Sequence, residues 1–247
     1  MDRPIRCVSS FERIARERGF SAIAGVDEVG RGCLFGPVFA AAVILHPDRP
    51  IRGLCDSKII EAEQRTELVA HIKRRCIAWS VGGADAFEID QINIYQASRL
   101  AMRRAVEALS VKPDYLLIDA LRIDFPAEQQ PIINGDARCR AIAAASIVAK
   151  VHRDACLARW HEVFPEYNLQ SNKGYSTPDH KRALRQFGPT TLHRFSFAPV
   201  RDNCPKTYWS GYMNGASPIT PEQAELFVEG TEAGVEPLPE IAVGTTP

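Results

Sequence analysis

The chain has 247 residues, 45% of them apolar and 24% charged, which is enough to bury a sizeable core and too mixed for a fibrous or disordered protein. No apolar run nears the roughly 18 residues that span a bilayer, and the Arg-rich start lacks the apolar centre of a secretory signal. The net charge of zero hides a division: residues 207–247 contain six Glu and no Lys or Arg, so the 30 basic residues of 1–206 face 24 acidic ones, a net of +6 that suits a polyanionic partner.

In chain order, residues 1–20 read as an N-terminal helical extension with Ser10 as an N-cap. Residues 21–206 read as one α/β domain, ending in a C-terminal helical region. Ile23–Val29 and Val38–Leu45 are strands around a Gly30–Pro37 turn, close enough to pair antiparallel. Glu61–Arg75 is helical in composition, Cys76–Val81 forms a third strand, and Ala84–Leu109 is helical with a break near Asp90-Gln91-Ile92-Asn93. Tyr115-Leu116-Leu117-Ile118 is the continuous apolar run of a buried strand and ends on Asp119, with a short fifth strand at Pro131–Ile133 before Asn134-Gly135-Asp136. Cys139–Val163 is a long helix whose residues 141–149 carry no charge and are mostly small, which lets it lie close on a sheet. A last helix starts at Thr177-Pro178 and stops at Gly188-Pro189. Residues 207–247, rich in Gly, Pro, Thr and Glu, read as an acidic flexible tail. The seven Cys are odd in number, scattered and never in a C-x-x-C pair, so a reducing cytoplasm is expected and a disulfide framework or zinc knuckle is not.

The pattern predicts a mixed five-stranded sheet flanked by helices, a class in which sites gather at strand ends. Asp27 and Glu28 close one strand, Asp119 another, and Asp136 precedes a helix. Singly, an Asp after a strand is often a turn former or N-cap. If the two strands are neighbours, the four form a hard-oxygen set suited to Mg²⁺ or Mn²⁺. Gly30-Arg31-Gly32 follows at once, a turn that lets backbone approach a sugar or phosphate.

Asp27-Glu28-Val29-Gly30-Arg31-Gly32 with Gly36-Pro37-Val38 resembles the opening signature of bacterial ribonuclease HII, of the type 2 ribonuclease H family. The resemblance continues through Asp56-Ser57-Lys58, Asp90-x-x-Asn93-Ile94, Asp119, Gly135-Asp136, Ile142 to Asp154, Lys173-Gly174-Tyr175-x-Thr177 and His193-Arg194-x-Ser196-Phe197, over about residues 21–200. It implies an RNase H-like fold and a metal-dependent endoribonuclease that cleaves RNA in RNA–DNA hybrids and 5′ to single ribonucleotides in duplex DNA. By that likeness Asp27, Glu28, Asp119 and Asp136 hold two Mn²⁺ or Mg²⁺ ions, one activating water and one stabilising the departing 3′ oxygen. The products would be 3′-OH and 5′-phosphate ends.

The likeness also implies that Gly30-Arg31-Gly32 reads the 2′-OH while Tyr175 stacks on a following deoxyribose; the plain alternative for Tyr175 is a buried tyrosine with one satisfied hydroxyl. Lys58, Asn93, Lys150 and Arg194 are candidates for phosphate positioning, and each equally suits a surface charge or helix cap. Ser146 and Arg153-Asp154 read as helix packing with local pairing, and the role of His193 is open. Cys33, Phe35 and Asn172 depart from the family pattern at positions that concern loop packing. A monomer in the cytoplasm with no membrane partner is expected. Two rival readings are a non-catalytic RNase H-like nucleic-acid-binding protein, which loss of a carboxylate would favour, and a resolvase or transposase core, which would not need the Gly-Arg-Gly and Lys-Gly-Tyr pairing.

Overall fold

A computed structural model of the chain describes residues 7–55 and 57–203. Strand β1 (Ile23–Val29) is central in a five-stranded sheet that also contains β2 (Val38–Ile44), β3 (Ala78–Ala84), β4 (Tyr115–Asp119) and β5 (Glu128–Ile132), in the order β3-β2-β1-β4-β5. The eight residues joining β1 to β2 allow only an antiparallel return, and Ala24 pairs with Ile44 through to Val29 with Phe39. A long crossover brings β4 parallel to β1, Val26 beside Ile118. The next residue on each strand is Asp27 and Asp119, so two carboxylates leave the same edge of the sheet from adjacent strands.

Both faces are covered. On one lies α3 (Ala86–Glu107), whose Ala97, Ala101, Met102 and Ala105 pack on Ala24, Val26, Ala40 and Ala42. On the other lie α2 (Ala62–Arg75) and α5 (Arg140–Val163), whose buried residues include every one from Ala141 to Ala149. Contact is closest at Gly25, where a Cβ would stand 2.1 Å from the carbonyl carbon of Ala141. The uncharged stretch on α5 thus allows its backbone to rest directly on β1.

A third core joins the turn after β1 to the C-terminal region. Leu34 and Phe35 pack with Leu157 and Trp160 of α5, with Ala183 and Leu184 of α7 (Pro178–Phe187), and with Tyr167, Leu192 and Phe195. Asp90 fastens this region to α3, its carboxylate accepting the N–H groups of Phe195 and Ser196, both at 2.8 Å. Among the described residues no helix is long and apolar enough to cross a membrane, and all six cysteines are free.

Several expected boundaries move. The first helix, α1, is Ser10–Glu17 with Ser9, not Ser10, at its N-cap, and the expected acidic tail lies outside the described residues. The third strand runs to Ala84 instead of stopping at Val81, because β2 pairs with it residue for residue from Ile44 to Val38. The fifth begins three residues earlier than expected, drawn in by parallel pairing of Glu128–Ile132 with β4. The helix after Thr177 is not the last; a single turn, Ala198–Arg201, follows it. The break in α3 falls at Asn93 (φ 65°), whose side chain accepts the N–H groups of Tyr95 and Gln96 and restarts the helix.

Candidate active site

The four carboxylates converge where β1 and β4 end. Asp27 lies on the α5 face, two residues on from Gly25, and is buried. Desolvation raises its pKa well above the ordinary carboxylate value, and the charges of Glu28, Asp119 and Asp136 raise it further. Glu28 is raised by burial and by Asp119, against the lowering effect of Arg31, whose Nη1 stands 3.2 Å from Glu28 Oε1. Asp119 is raised by burial and by Asp136, while the Gly135 N–H, donating to its Oδ1 at 2.7 Å, pulls it down. Asp136 is buried on the short helix Gly135–Arg138, and its Oδ2 accepts a hydrogen bond from Lys58 Nζ at 2.9 Å.

Among the described residues, no group of three Asp, Glu, His or Cys side chains is arranged to hold a metal ion as it stands. The carboxylates are turned onto the chain's own donors: Asp27 Oδ1 takes the Glu28 N–H, Asp136 Oδ1 takes the Ala137 N–H, and Lys58 and Arg31 supply positive charge. The donor set nevertheless fits a hard divalent cation. It is all oxygen, Glu28 Oε2 is buried with no hydrogen-bond partner, and mutual repulsion leaves the cluster short of positive charge.

Behind Asp27, the hydroxyl of Ser146 on α5 bonds to its carboxyl and lowers its pKa, and lies 2.9 Å from Ser57 Oγ. The spacing Gly25–Asp27 on the strand and Ala141–Ser146 on the helix brings this about, because the backbone contact at Gly25 sets the helix height. Ser146 therefore does more than pack: it orients a member of the carboxylate cluster.

Gly30-Arg31-Gly32 projects from the end of β1, with Arg31 and Gly32 exposed. Gly30 has φ +92°, and a Cβ there would stand 2.3 Å from Nε of Arg153. Arg153 was expected to pair locally with Asp154, but Asp154 takes Lys150 at 2.7 Å instead. The buried Arg153 guanidinium donates to the carbonyls of Lys173 (2.8 Å) and Phe35 (3.4 Å). It thus joins the Gly-Arg-Gly and Lys-Gly-Tyr loops from beneath.

Arg194, expected at a phosphate, is also fully buried, with Nε donating to Gly36 O at 2.9 Å and Nη1 to Arg31 O at 2.8 Å. It supports the loop from the inside and cannot reach a phosphate. Leu34 N–H to Gly174 O at 2.8 Å and a Cys33–Tyr175 bridge complete the joint. Tyr175 is 43% exposed, so the buried-tyrosine alternative fails, and burial of the rest with the adjacent Cys33 raises its hydroxyl pKa.

Among the other expected phosphate contacts, the Lys58 side chain is 76% exposed and sits on Asp136. Lys150 lies on α5 paired with Asp154. Asn93 is exposed and acts as the helix cap described above. The three departures from the family pattern all build loops: the Cys33 thiol donates to Lys173 O, Phe35 packs in the third core, and Asn172 Oδ1 accepts the Gly174 N–H at 2.7 Å. His180 drew no attention in the sequence. It is fully buried, with one ring nitrogen 2.9 Å from Tyr175 O and the other 3.1 Å from a nitrogen of His193.

Comparison with known proteins agrees with this geometry. The family model described as ribonuclease HII matches residues 24–200. A ribonuclease HII of Solibacter usitatus is 61% identical over 196 residues, covering 79% of this chain and 86% of the relative, and one of Koribacter versatilis is 58% identical, covering 79% and 77%. In fold, the crystal structure of ribonuclease H2 from Pyrococcus horikoshii is similar with a TM-score of 0.63 at 24% identity, over 74% of this chain and 97% of that one.

Proposed function

The chain belongs to the ribonuclease HII family and is a ribonuclease H, a metal-dependent endonuclease; from that premise we propose that it cuts 5′ to single ribonucleotides embedded in duplex DNA as well as within RNA–DNA hybrids, leaving 3′-OH and 5′-phosphate ends. One observation carries this reading. A single strand end delivers Asp27 and Glu28 to a carboxylate cluster and runs on into Gly30-Arg31-Gly32, exposed at Arg31 and Gly32, whose next residue Cys33 bridges to the half-exposed Tyr175. Chemistry and ribose sensing are thereby held at a fixed separation by one segment of backbone.

In this reading Asp27, Glu28, Asp119 and Asp136 hold two divalent ions. When bound, the ions supply a more acidic attacking water and charge stabilisation at the departing 3′ oxygen of an in-line displacement. Ser146 keeps Asp27 oriented toward the cluster. Gly30-Arg31-Gly32 brings backbone against the 2′-OH, which a bulkier loop would hold off. Arg31 and Lys58, which rest on Glu28 and Asp136, would be available to the substrate phosphates once those carboxylates were neutralised by metal. Lys150 can add a further backbone contact. Tyr175 offers its ring face to the sugar 3′ of the ribonucleotide, where a second 2′-OH would obstruct it.

The expected partners are RNA–DNA hybrid and ribonucleotide-containing DNA, bound by a monomer in a reducing cytoplasm where the free thiols persist. Mn²⁺ and Mg²⁺ both suit the donor set. A duplex with one ribonucleotide should be cut 5′ to it with either ion and left intact in EDTA, and Asp119→Asn should bind but not cut. Absence of cleavage with both metals overturns the reading.

A further inference from the structure

Two fully buried histidines link Tyr175 to the loop that follows α7. The obligate donor and acceptor at the two ends of this link place the ring protons. The backbone N–H of Thr190 can only donate, and it points at His193 Nδ1 at 2.9 Å; the Thr190 hydroxyl, which accepts the Leu192 N–H, stands at the same distance and can donate to that nitrogen too. That nitrogen must therefore accept, so the single proton of a neutral His193 sits on Nε2. His193 Nε2 lies 3.1 Å from His180 Nε2, which must then accept in turn. This leaves the proton of His180 on Nδ1, 2.9 Å from the carbonyl of Tyr175, a group that can only accept. An obligate donor at one end and an obligate acceptor at the other leave one arrangement, with both rings neutral.

The rings have no room to turn. His193 stands edge-on to Phe35 with centroids 4.9 Å apart and tilts against Tyr167 at 4.8 Å, while Phe35 belongs to the segment that follows Gly30-Arg31-Gly32. His193 also bridges to Phe35 along the backbone, flanked by hydrogen bonds from Gly36 N to Leu192 O and from Arg194 N to Leu34 O. One end of the pair holds the Tyr175 backbone, and the other is fastened to Phe35, three residues beyond the glycine loop. Burial opposes protonation of both rings, consistent with a link that works only when neutral.

We propose that His180 and His193 are positioning residues, a neutral one-directional strut that fixes the Tyr175 carbonyl relative to the Gly30-Arg31-Gly32 loop and so sets the junction selectivity of the nuclease. This rests on the reading of Tyr175 given above. The strut touches no substrate; it acts through the tyrosine. A ring that must stack on one particular sugar tolerates little displacement, and misplacement by about 1 Å costs on the order of 10²-fold in well-oriented reactions.

The test has two parts on the full chain. Long-range ¹H–¹⁵N NMR of the unaltered protein should find His193 protonated on Nε2 and His180 on Nδ1, the form that free histidine disfavours. His180 protonated on Nε2 overturns the strut. The second part measures kcat/KM with Mn²⁺ on a duplex carrying one ribonucleotide and on a uniform RNA–DNA hybrid. The ratio should fall roughly tenfold or more in His193→Phe, which keeps a ring against Phe35 but breaks the chain of protons, and likewise in Tyr175→Ala. If Tyr175→Ala loses selectivity and a folded His193→Phe keeps it, the strut is wrong and the reading of Tyr175 stands. If Tyr175→Ala itself keeps full selectivity, the reading of Tyr175 falls and the strut's role falls with it. Should His193→Phe fail to fold, the tautomers of the unaltered protein decide.

Discussion

Gly25→Ala tests whether the direct contact between β1 and α5 holds the site in place. The added Cβ would meet the carbonyl carbon, the oxygen and the following nitrogen at Ala141–Ile142 at 2.1, 2.3 and 2.5 Å, where ordinary contact begins near 3.4 Å. All three atoms are backbone, so no side chain can swing aside, and α5 must retreat by about 1 Å. Overpacking of this kind costs about 1–3 kcal/mol, and the rigidity of both elements places it at about 3. For a chain of this size that lowers Tm by about 6–12 °C. The same retreat lifts Ser146 from Asp27, and a displacement of about 1 Å at a catalytic cluster should reduce kcat by about 10²-fold. Thermal unfolding by circular dichroism and single-turnover cleavage measure the two effects. Gly32→Ala is the control: its Cβ would meet nothing within 4 Å, so Tm should hold while KM rises through obstruction of the sugar. A Gly25→Ala variant that melts with the unaltered protein would refute the account of how α5 is seated.

Asp27→Asn should abolish cleavage yet stabilise the metal-free protein at pH 7. Burial and three neighbouring carboxylates raise the Asp27 pKa, so its favourable contribution is complete below about pH 4, the unfolded value, and is lost as pH rises through the folded one. Melting in EDTA across pH 4–8 should show the variant gaining on the unaltered protein, by about 2–4 °C or more at the upper end; a lower Tm at pH 7 would contradict the cluster's electrostatics. Lys58→Ala should lower the Tm of the metal-free protein, because the exposed Lys58 head group pairs with the buried carboxylate of Asp136, and should reduce the slope of log binding constant against log salt by about one. An unchanged slope in a filter-binding titration would remove Lys58 from the phosphate contacts.

What the sequence revealed and what it hid follow one physical division. Asp27, Glu28 and Asp119 were legible because each interrupts an apolar run at a strand end, where an acidic side chain is costly without a cation. The antiparallel start of the sheet was legible because eight residues allow no other return. The expected third strand stops at Val81, and the observed one runs on through Gly82-Gly83 to Ala84. In the fold the helix on one side requires Gly82, since a Cβ there would stand 2.4 Å from the Ala105 nitrogen. Glu128–Ile132 shows no apolar period because it is an edge strand, exposed enough to tolerate Pro131.

Arg194 and His180 were misread or passed over for a related reason, while Arg153, expected in the helix packing, differs only in its partners. Each is polar, and composition assigns polar residues to the surface or to substrate. These three point inward, because carbonyls of loops distant in sequence need donors: Lys173 and Phe35 for Arg153, Gly36 and Arg31 for Arg194, Tyr175 for His180. Their partners are set by the docking of the C-terminal region onto the turn after β1, which no local pattern encodes. Residues that meet substrate announce themselves by disturbing a strand; residues that hold those in register become visible only once the loops they join have been brought together.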